Sequence, residues 1–530
     1  MDAKTQKYDR QLRLWGGNGQ EALESAHILL VNASPVGCEV LKNLILPGIG
    51  QFTIVDAGTV ALHDVGSNFF FDLESVGKSR AEKACEFLSE LNEDAKGHWI
   101  KNDISTLLKE KPDFLDQFTI VMVSEVTQEL ATKIAKICWD HGKTTQAKKQ
   151  ISFVWVRTVG LIGAARIVTP EHTIVETHPD SVADLRIDSP FPELDAYWRT
   201  FDFDTQDNLE FGHIPYVAIL LKFMDQWKKE HNGQTPSTYA EKNQLKALIR
   251  SGMRSADDEN FEEALSSVLR SCQATVVPSS IKDLFSDPEV ENLTAESIDF
   301  WVLVKALKEF VADTSKSAGL LPLSGTIPDM KAQTDSYVKL QSIYKAKAKQ
   351  DAQVVAEITG RVLEKIGRPK NSIAFVDIEA FCKFSAFLKV VRHRSLESEY
   401  VEPKTEQIAL HLADPDSVFV QYVLLRASDA FYGDHGRYPG ENESWEEDVE
   451  HLQGNVATLL ESWGVDKEAV SPERVHEICR YGMGAIHNIA SLMGGVVSQE
   501  IIKVITRQYV PMNNTVLFDG AASVTGVFEL

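Results

Sequence analysis

The chain has 530 residues, with 54 Lys+Arg against 77 Asp+Glu, a formal net charge of −23 and 43% apolar residues. The acidic excess argues against nucleic-acid binding, which needs a clustered basic surface, and the length suggests about two to four globular domains. No apolar run approaches the roughly 20 residues of a membrane span, and the opening MDAKTQKYDRQLRLWG lacks the apolar core of a secretory signal. A soluble intracellular protein that binds neither membrane nor nucleic acid is the expectation.

In chain order, AHILLVN (26–32) reads as a short buried strand, and Ser34-Pro35 as an N-cap followed by proline at the first helical position. Val36, Val40, Leu41, Leu44 and Ile45 follow at helical spacing, and Pro47-Gly48 ends that helix. FTIVD (52–56) is a second strand, which makes the unit strand–helix–strand, the βαβ element of a parallel sheet. A helix over 79–91, a strand over 118–124, a helix over 128–139 and a β-rich stretch over 151–168 continue the pattern.

From about 172 to 476 the periodicity is mostly helical, over 216–230, 259–271, 297–311, 335–366 and 417–431. Thr334 is a cap candidate for the longest of these, and Gly367 lies just past its end. The acidic clusters at 257–263 and 441–450 read as solvated loops or helix faces. A small-residue helix over 482–504 and strands at 516–520 and 524–530 return to the earlier style. The predicted architecture is α/β: a sheet domain interrupted by a large helical insertion and completed by the last 50 or so residues.

Strand 26–32 should deliver a phosphate to the next helix N-terminus through glycines, because backbone must approach the phosphate closely. Here the loop is Asn32-Ala33-Ser34-Pro35-Val36-Gly37: two of three glycines are replaced, and Pro35 removes an N–H donor. An independent ATP or NAD site is therefore not expected. The six cysteines are scattered without a C-x-x-C, so no thiolate zinc site is signalled and disulfides are not expected.

YDRQLRLWG (8–16), LKNLILPGIGQFTIVD (41–56), VGKSRAE (76–82) and GGVVSQEIIKVITRQYVP (494–511) resemble the ubiquitin-like-modifier activating enzymes of the ThiF/MoeB adenylation superfamily. HPDSVADLRIDSPFPEL (178–194), GTIPDM (325–330), YVKLQSIYKAKAKQDA (337–352) and HGRYPG (435–440) narrow the resemblance to one family. That family is the regulatory subunit of the NEDD/Rub-activating enzyme, the amyloid-precursor-protein-binding or auxin-resistance type.

The resemblance implies a ThiF/MoeB-like (Rossmann-like) adenylation fold, with an inactive adenylation domain over 1–170 and 478–530. The helical insertion, 171–477, would be half a catalytic-cysteine domain without the cysteine. It implies a heterodimer whose catalytic subunit holds Mg-ATP, a zinc ion and the thioester cysteine, acting on a NEDD/Rub-type modifier upstream of cullin neddylation in cytoplasm and nucleus. This chain would bind no cofactor or metal.

Against the active pattern, 63–68 carries no Arg, and Val126-Thr127 stands where a magnesium-binding Asp-Asn pair belongs. No cysteine precedes Thr; Cys272 is the least implausible nucleophile. Asp56 and Lys78 remain as vestiges of ribose and phosphate contacts. Arg10 is the residue expected to act, reaching in trans into the partner's ATP site, with Arg13 a weaker candidate. Asp329, Met330, Tyr337, Lys339 and Tyr344 are the expected partner interface. Two other classes stay open on the residues alone: a self-sufficient nucleotide enzyme, either a homodimeric adenylating protein or a Rossmann oxidoreductase, and a catalytically dead docking scaffold.

Overall fold

The computed structural model describes residues 3–144, 150–178, 184–255, 257–414, 416–441 and 445–530. The chain divides into two compact units, 1–174 with 389–530, and 175–388.

The first unit is built on one eight-stranded sheet. A short helix, Ala3–Lys7, precedes α1 (Asp9–Ser25), which is interrupted at Gly16, whose φ is +68°. Then come β1 (His27–Val31), α2 (Pro35–Ile45), β2 (Gln51–Val55), α3 (Arg80–Ser89), β3 (Lys96–Ile100), β4 (Ile120–Val123), α4 (Gln128–Thr144), β5 (Ser152–Val159), β6 (Ile162–Val168) and β7 (His172–Ile174). After the second unit the chain returns with β8 (Lys389–Val391), and later β9 (Thr515–Asp519) and β10 (Val524–Phe528).

The large sheet has the order β10-β9-β6-β5-β4-β1-β2-β3, while β7 and β8 form a separate antiparallel pair. β1 pairs parallel with both β2 and β4, so the strand order reverses beside β1. β6, β9 and β10 close the sheet in antiparallel fashion. Alternation sorts the strands into two cores: Ile28, Leu30, Ile54 and Met122 face one side, Leu29, Val31, Val55 and Val123 the other. Burial on both faces explains why β1 is uninterrupted apolar sequence.

The helix expected over 482–504 spans His487–Thr506, because Gly482 takes φ +53° and caps the preceding helix instead. By length and composition this helix would also suffice to cross a membrane. In the fold it lies on α2 in the sheet core. Gly494 permits that approach, since a Cβ there would sit 2.6 Å from Glu39 Cβ. The small residues therefore serve packing within this unit, although Gly495 is exposed with open space beside it.

The expected return to the sheet domain at 478 is corrected to Lys389. Arg157 makes a two-pronged ion pair with Asp429 at 2.8 Å, and Arg166 binds Glu399 at 2.8 Å. The helix Val420–His435 joins a third core with Ile162 and Leu517. These long-range pairs bind 389–477 to β5, β6 and β9. HGRYPG is a turn within this part: Arg437 grips Asp448 with both Nη atoms at 2.7 Å. Within the acidic cluster 441–450, Asp448 is thus buried rather than solvated; residues 442–444 lie outside the described residues.

The second unit is helical in its described residues. Tyr216–Glu230, Tyr239–Ser251, Glu259–Ser271 and the 32-residue helix Thr334–Lys365 share one core. Thr334 lies inside that last helix and Gln333 is its cap. Of the motif 178–194, residues 179–183 lie outside the described residues. Its remainder is structural: Asp188 accepts both the N–H and the hydroxyl of Thr275 at 2.7 Å.

Candidate functional site

Parallel α/β sheets bind ligands outside the carboxyl ends of their strands, where strand order reverses. Here that point lies between β1 and β4. The chain leaves β1 at Asn32, β2 at Asp56 and β4 at Ser124, so these three residues and the α2 N-terminus define the site.

The backbone of the phosphate loop is retained while its chemistry is replaced. Asn32 holds φ +64°, the left-handed turn that a glycine would make. Its side chain crosses the crevice and donates to the carbonyls of Ser124 (3.2 Å) and Glu125 (2.9 Å). Gly37 persists for close helix–strand packing, since a Cβ there would lie 2.6 Å from Leu30 Cδ1. Ser34, in the second glycine's place, accepts the Gly37 N–H at 3.0 Å and donates to Ser124 Oγ at 2.7 Å. The α2 N-terminus is thus capped by its own side chain where an anion would sit.

The nucleotide's sugar side is also filled. Asp56, 1% exposed, accepts the N–H of Ala33 at 2.9 Å and of Gly58 at 2.6 Å. Arg80 pairs with it, Nε to Oδ2 at 3.0 Å, and Asp64 and Glu125 stand 3.7 and 4.0 Å from Arg80 Nη1. Burial pulls the Arg80 pKa down, but Asp56, Glu125 and Asp64 outweigh it and raise the pKa above its ordinary value. Lys78 points to solvent, and its carbonyl accepts the Val60 N–H as part of a turn. Asn68, within the stretch without Arg, is buried and donates to the Ala33 carbonyl at 3.1 Å. Val126 is buried, and Thr127 accepts the Leu130 N–H at the start of α4. These residues fit a magnesium nucleotide poorly: Ser34 takes the Gly37 N–H, Asp56 takes the Ala33 N–H and holds a guanidinium, and Val126-Thr127 offers no carboxylate for a metal.

All six cysteines are buried. Burial pushes the Cys272 thiol up to about 12, so the least implausible nucleophile is the wrong protonation state for attack. Among the described residues no group of three or more His, Cys, Asp or Glu is placed to hold a metal.

Arg10 lies outside this crevice, on the short first segment of α1. It is exposed and has no ion-pair or hydrogen-bond partner among the described residues, whereas Arg13 pairs with Asp9 at 3.0 Å. In the second unit, Asp329 and Lys339 are exposed, and Met330 and Tyr337 half-buried. Tyr344 corrects the expectation. It is fully buried and donates its hydroxyl to the Leu185 carbonyl at 2.6 Å, so its side chain is a core strut and not a contact residue. Sequence reasoning missed Arg80 and Ser124. Arg80 stands inside the VGKSRAE segment, but nothing local marks its pairing with Asp56.

The ThiF family profile matches residues 8–525. The NEDD8-activating enzyme E1 regulatory subunit of Xenopus laevis is 43% identical over 537 residues, covering 99% of both chains. The regulatory subunit AXL of Arabidopsis thaliana is 41% identical over 518 residues, 97% of each. A crystal structure of E. coli MccB with AMPCPP and MccA overlaps 34% of this chain and 53% of its own, at 19% identity and a TM-score of 0.27. The family profile identifies the fold as that of a ThiF-type adenylation domain. The chain belongs to the ThiF family and, within it, to the NEDD8-activating enzyme E1 regulatory subunits.

Proposed function

We propose that this chain is the non-catalytic half of a heterodimeric activating enzyme for a NEDD/Rub-type modifier, and that it supplies Arg10 to the catalytic half. In the reaction the modifier's C-terminal carboxylate attacks the α-phosphate of ATP and pyrophosphate leaves; the acyl group then passes to the partner's cysteine as a thioester, releasing AMP. Mg-ATP, zinc and that cysteine reside in the partner, and the product feeds cullin modification in cytoplasm and nucleus. Negative charge grows on the α-phosphate oxygens during attack, and a guanidinium binds two of them at once, which an ammonium cannot do.

The observation that carries this reading is a contrast between two arginines. Arg80 is spent on Asp56 inside the chain's own crevice, while Arg10 is exposed and has no partner among the described residues. The exposed apolar side chains Leu62, Phe69, Leu73 and Val76 support a subunit face next to the crevice. Exposed Asp329 and Lys339, with the half-buried Met330 and Tyr337, offer a second contact region on the insertion, which would help shape the groove for modifier and thioester.

The test is modifier-dependent ATP–pyrophosphate exchange by this chain alone, by the catalytic subunit alone, and by the mixture. Activity is expected only in the mixture; exchange by this chain alone would overturn the reading and revive a self-sufficient enzyme. Arg10→Ala separates the proposal from a docking scaffold, whose activity in the mixture would be unaffected.

A further inference from the structure

The segment carrying Arg10 is clamped at both ends. At its start, Tyr8 is 2% exposed, and its hydroxyl donates to Asp94 Oδ2 and accepts from Asn92 Nδ2, both at 3.0 Å. Asn92 Nδ2 also donates to the Ile45 carbonyl at 2.8 Å, which ties the network to the end of α2. Lys7 Nζ adds bonds to Asn92 Oδ1 and Asp94 Oδ2 at 2.6 Å. The ring needs Gly48 beside it: that residue holds φ +95°, and a Cβ there would lie 2.8 Å from the Tyr8 hydroxyl oxygen.

At the other end, Trp15 is buried, its carbonyl accepts from Gln508 Nε2 at 2.8 Å, and its indole N–H donates to Gln20 at 3.1 Å. Gly16 then breaks the helix. Seven helical residues, Asp9 to Trp15, are held between these two anchors; of the two arginines on them Arg13 pairs with Asp9, and Arg10 has no partner among the described residues. The buried tyrosine hydroxyl has two side-chain partners, 84 and 86 residues away in sequence, so satisfied hydrogen bonds tie the start of this segment to a distant part of the chain.

We infer that Tyr8, through Asn92 and Asp94, is a positioning residue for Arg10: it fixes the origin and rotation of the segment so that the guanidinium arrives in the partner's site already aimed. The inference rests on the trans role of Arg10 proposed above. Misplacement of a reacting group by about 1 Å costs on the order of 10²-fold in rate, so loosening this anchor has a kinetic signature beyond stability.

The experiment uses the full heterodimer and measures modifier-dependent pyrophosphate exchange for Tyr8→Phe, Arg10→Ala and the double variant, alongside thermal unfolding of each. Tyr8→Phe keeps the buried ring and removes only the hydroxyl. The expected result is a fall in kcat of about tenfold or more with unchanged KM for ATP, and no further fall when Tyr8→Phe is added to Arg10→Ala. Gln508→Ala, which releases the other anchor, is expected to behave the same way. Loss from Arg10→Ala with none from either anchor variant would overturn the positioning role and leave the trans role standing. Equal losses from Tyr8→Phe in the presence and absence of Arg10 would also overturn it, by showing that the hydroxyl acts through stability. No effect of Arg10→Ala would instead remove the reading on which the inference rests.

Discussion

Arg80 occupies the carboxylate of Asp56, with Nε 3.0 Å from Oδ2, in the crevice where an active ThiF-type fold would hold a nucleotide. The pair is intramolecular and nearly closed to water: the Asp56 side chain is 1% exposed and that of Arg80 21%.

Removing Arg80 leaves the buried Asp56 carboxylate without its countercharge, held only by the Ala33 and Gly58 N–H groups. Arg80→Ala is expected to destabilise the sheet unit by about 3–5 kcal/mol, the usual penalty for breaking one side of a buried pair, measured by urea unfolding. It should not create ATP binding, because Ser34 still caps α2 and Pro35 still lacks its N–H. A loss below about 1 kcal/mol would mean that solvent reaches Asp56 and that the crevice is more open than described.

Arg10→Ala should leave thermal unfolding and heterodimer assembly unchanged, since the side chain is exposed and has no partner among the described residues. Exchange activity of the heterodimer should fall by about 10³-fold, the lower end for arginines supplied in trans to phosphoryl chemistry. Arg10→Lys should recover little of it, lacking the planar fork. Arg13→Ala should cost far less, and a comparable loss from both would point to general electrostatics in place of one aimed group.

Tyr344→Phe tests whether this side chain is a core strut of the insertion unit. Deleting the hydroxyl leaves the Leu185 carbonyl without its donor in a buried setting, worth about 1–3 kcal/mol. Unfolding of the chain should register that loss, while affinity for the catalytic subunit, read by calorimetry, should not change. A weaker complex with unaltered stability would return Tyr344 to the interface.

Two buried histidines set an acid limit. Burial, with Arg507 assisting, lowers the His172 pKa to about 4; burial, with Arg166 and His172 assisting, lowers that of His393 to about 3. His393 Nδ1 accepts the Thr169 N–H at 3.1 Å, which requires the neutral ring. Both folded values lie below the ordinary value of 6.5, so the unfolded chain takes up protons first. Their stabilising effect is complete above pH 6.5 and is lost as pH falls toward 4 for His172 and 3 for His393, by up to about 1.4 kcal/mol per pH unit for each. Urea midpoints at pH 7.5, 6 and 5 should decline, and His393→Asn, which can keep an acceptor for Thr169, should flatten the slope. An equally steep slope in that variant would assign the acid sensitivity elsewhere.

Much of this was legible in the residues. β1, β2 and β4 announced themselves because strands buried on both faces must be apolar throughout, and Ser34-Pro35 marked the start of α2 through capping chemistry. β3 was not legible: KGHWI at the sheet edge has little burial to impose a pattern. The extent of the sheet unit was hidden for a different reason. Residues 389–477 are mostly helical like the insertion before them, and only long-range contacts assign them to the sheet: the core shared with Ile162 and Leu517, and ion pairs such as Arg157–Asp429, 272 residues apart. At the site, the losses of glycine could be read directly. The pairing of Arg80 with Asp56 could not, because it depends on a turn that brings 56 and 80 together. Tyr344 was misplaced because its aromatic, polar-tipped side chain suits an interface and a core equally well.

Ser34 sealing the α2 N-terminus also bears on thermodynamic linkage. A site that waits for ligand exposes unsatisfied donors when empty, and its domain gains stability as the ligand concentration climbs. On the reading proposed above, Ser34 takes the Gly37 N–H from within and Pro35 offers none, so a nucleotide would find little here to stabilise. Its melting temperature should be indifferent to ATP, and nucleotide titrated into the assembled pair should follow a single hyperbola, with no second site available for cooperativity between the two halves.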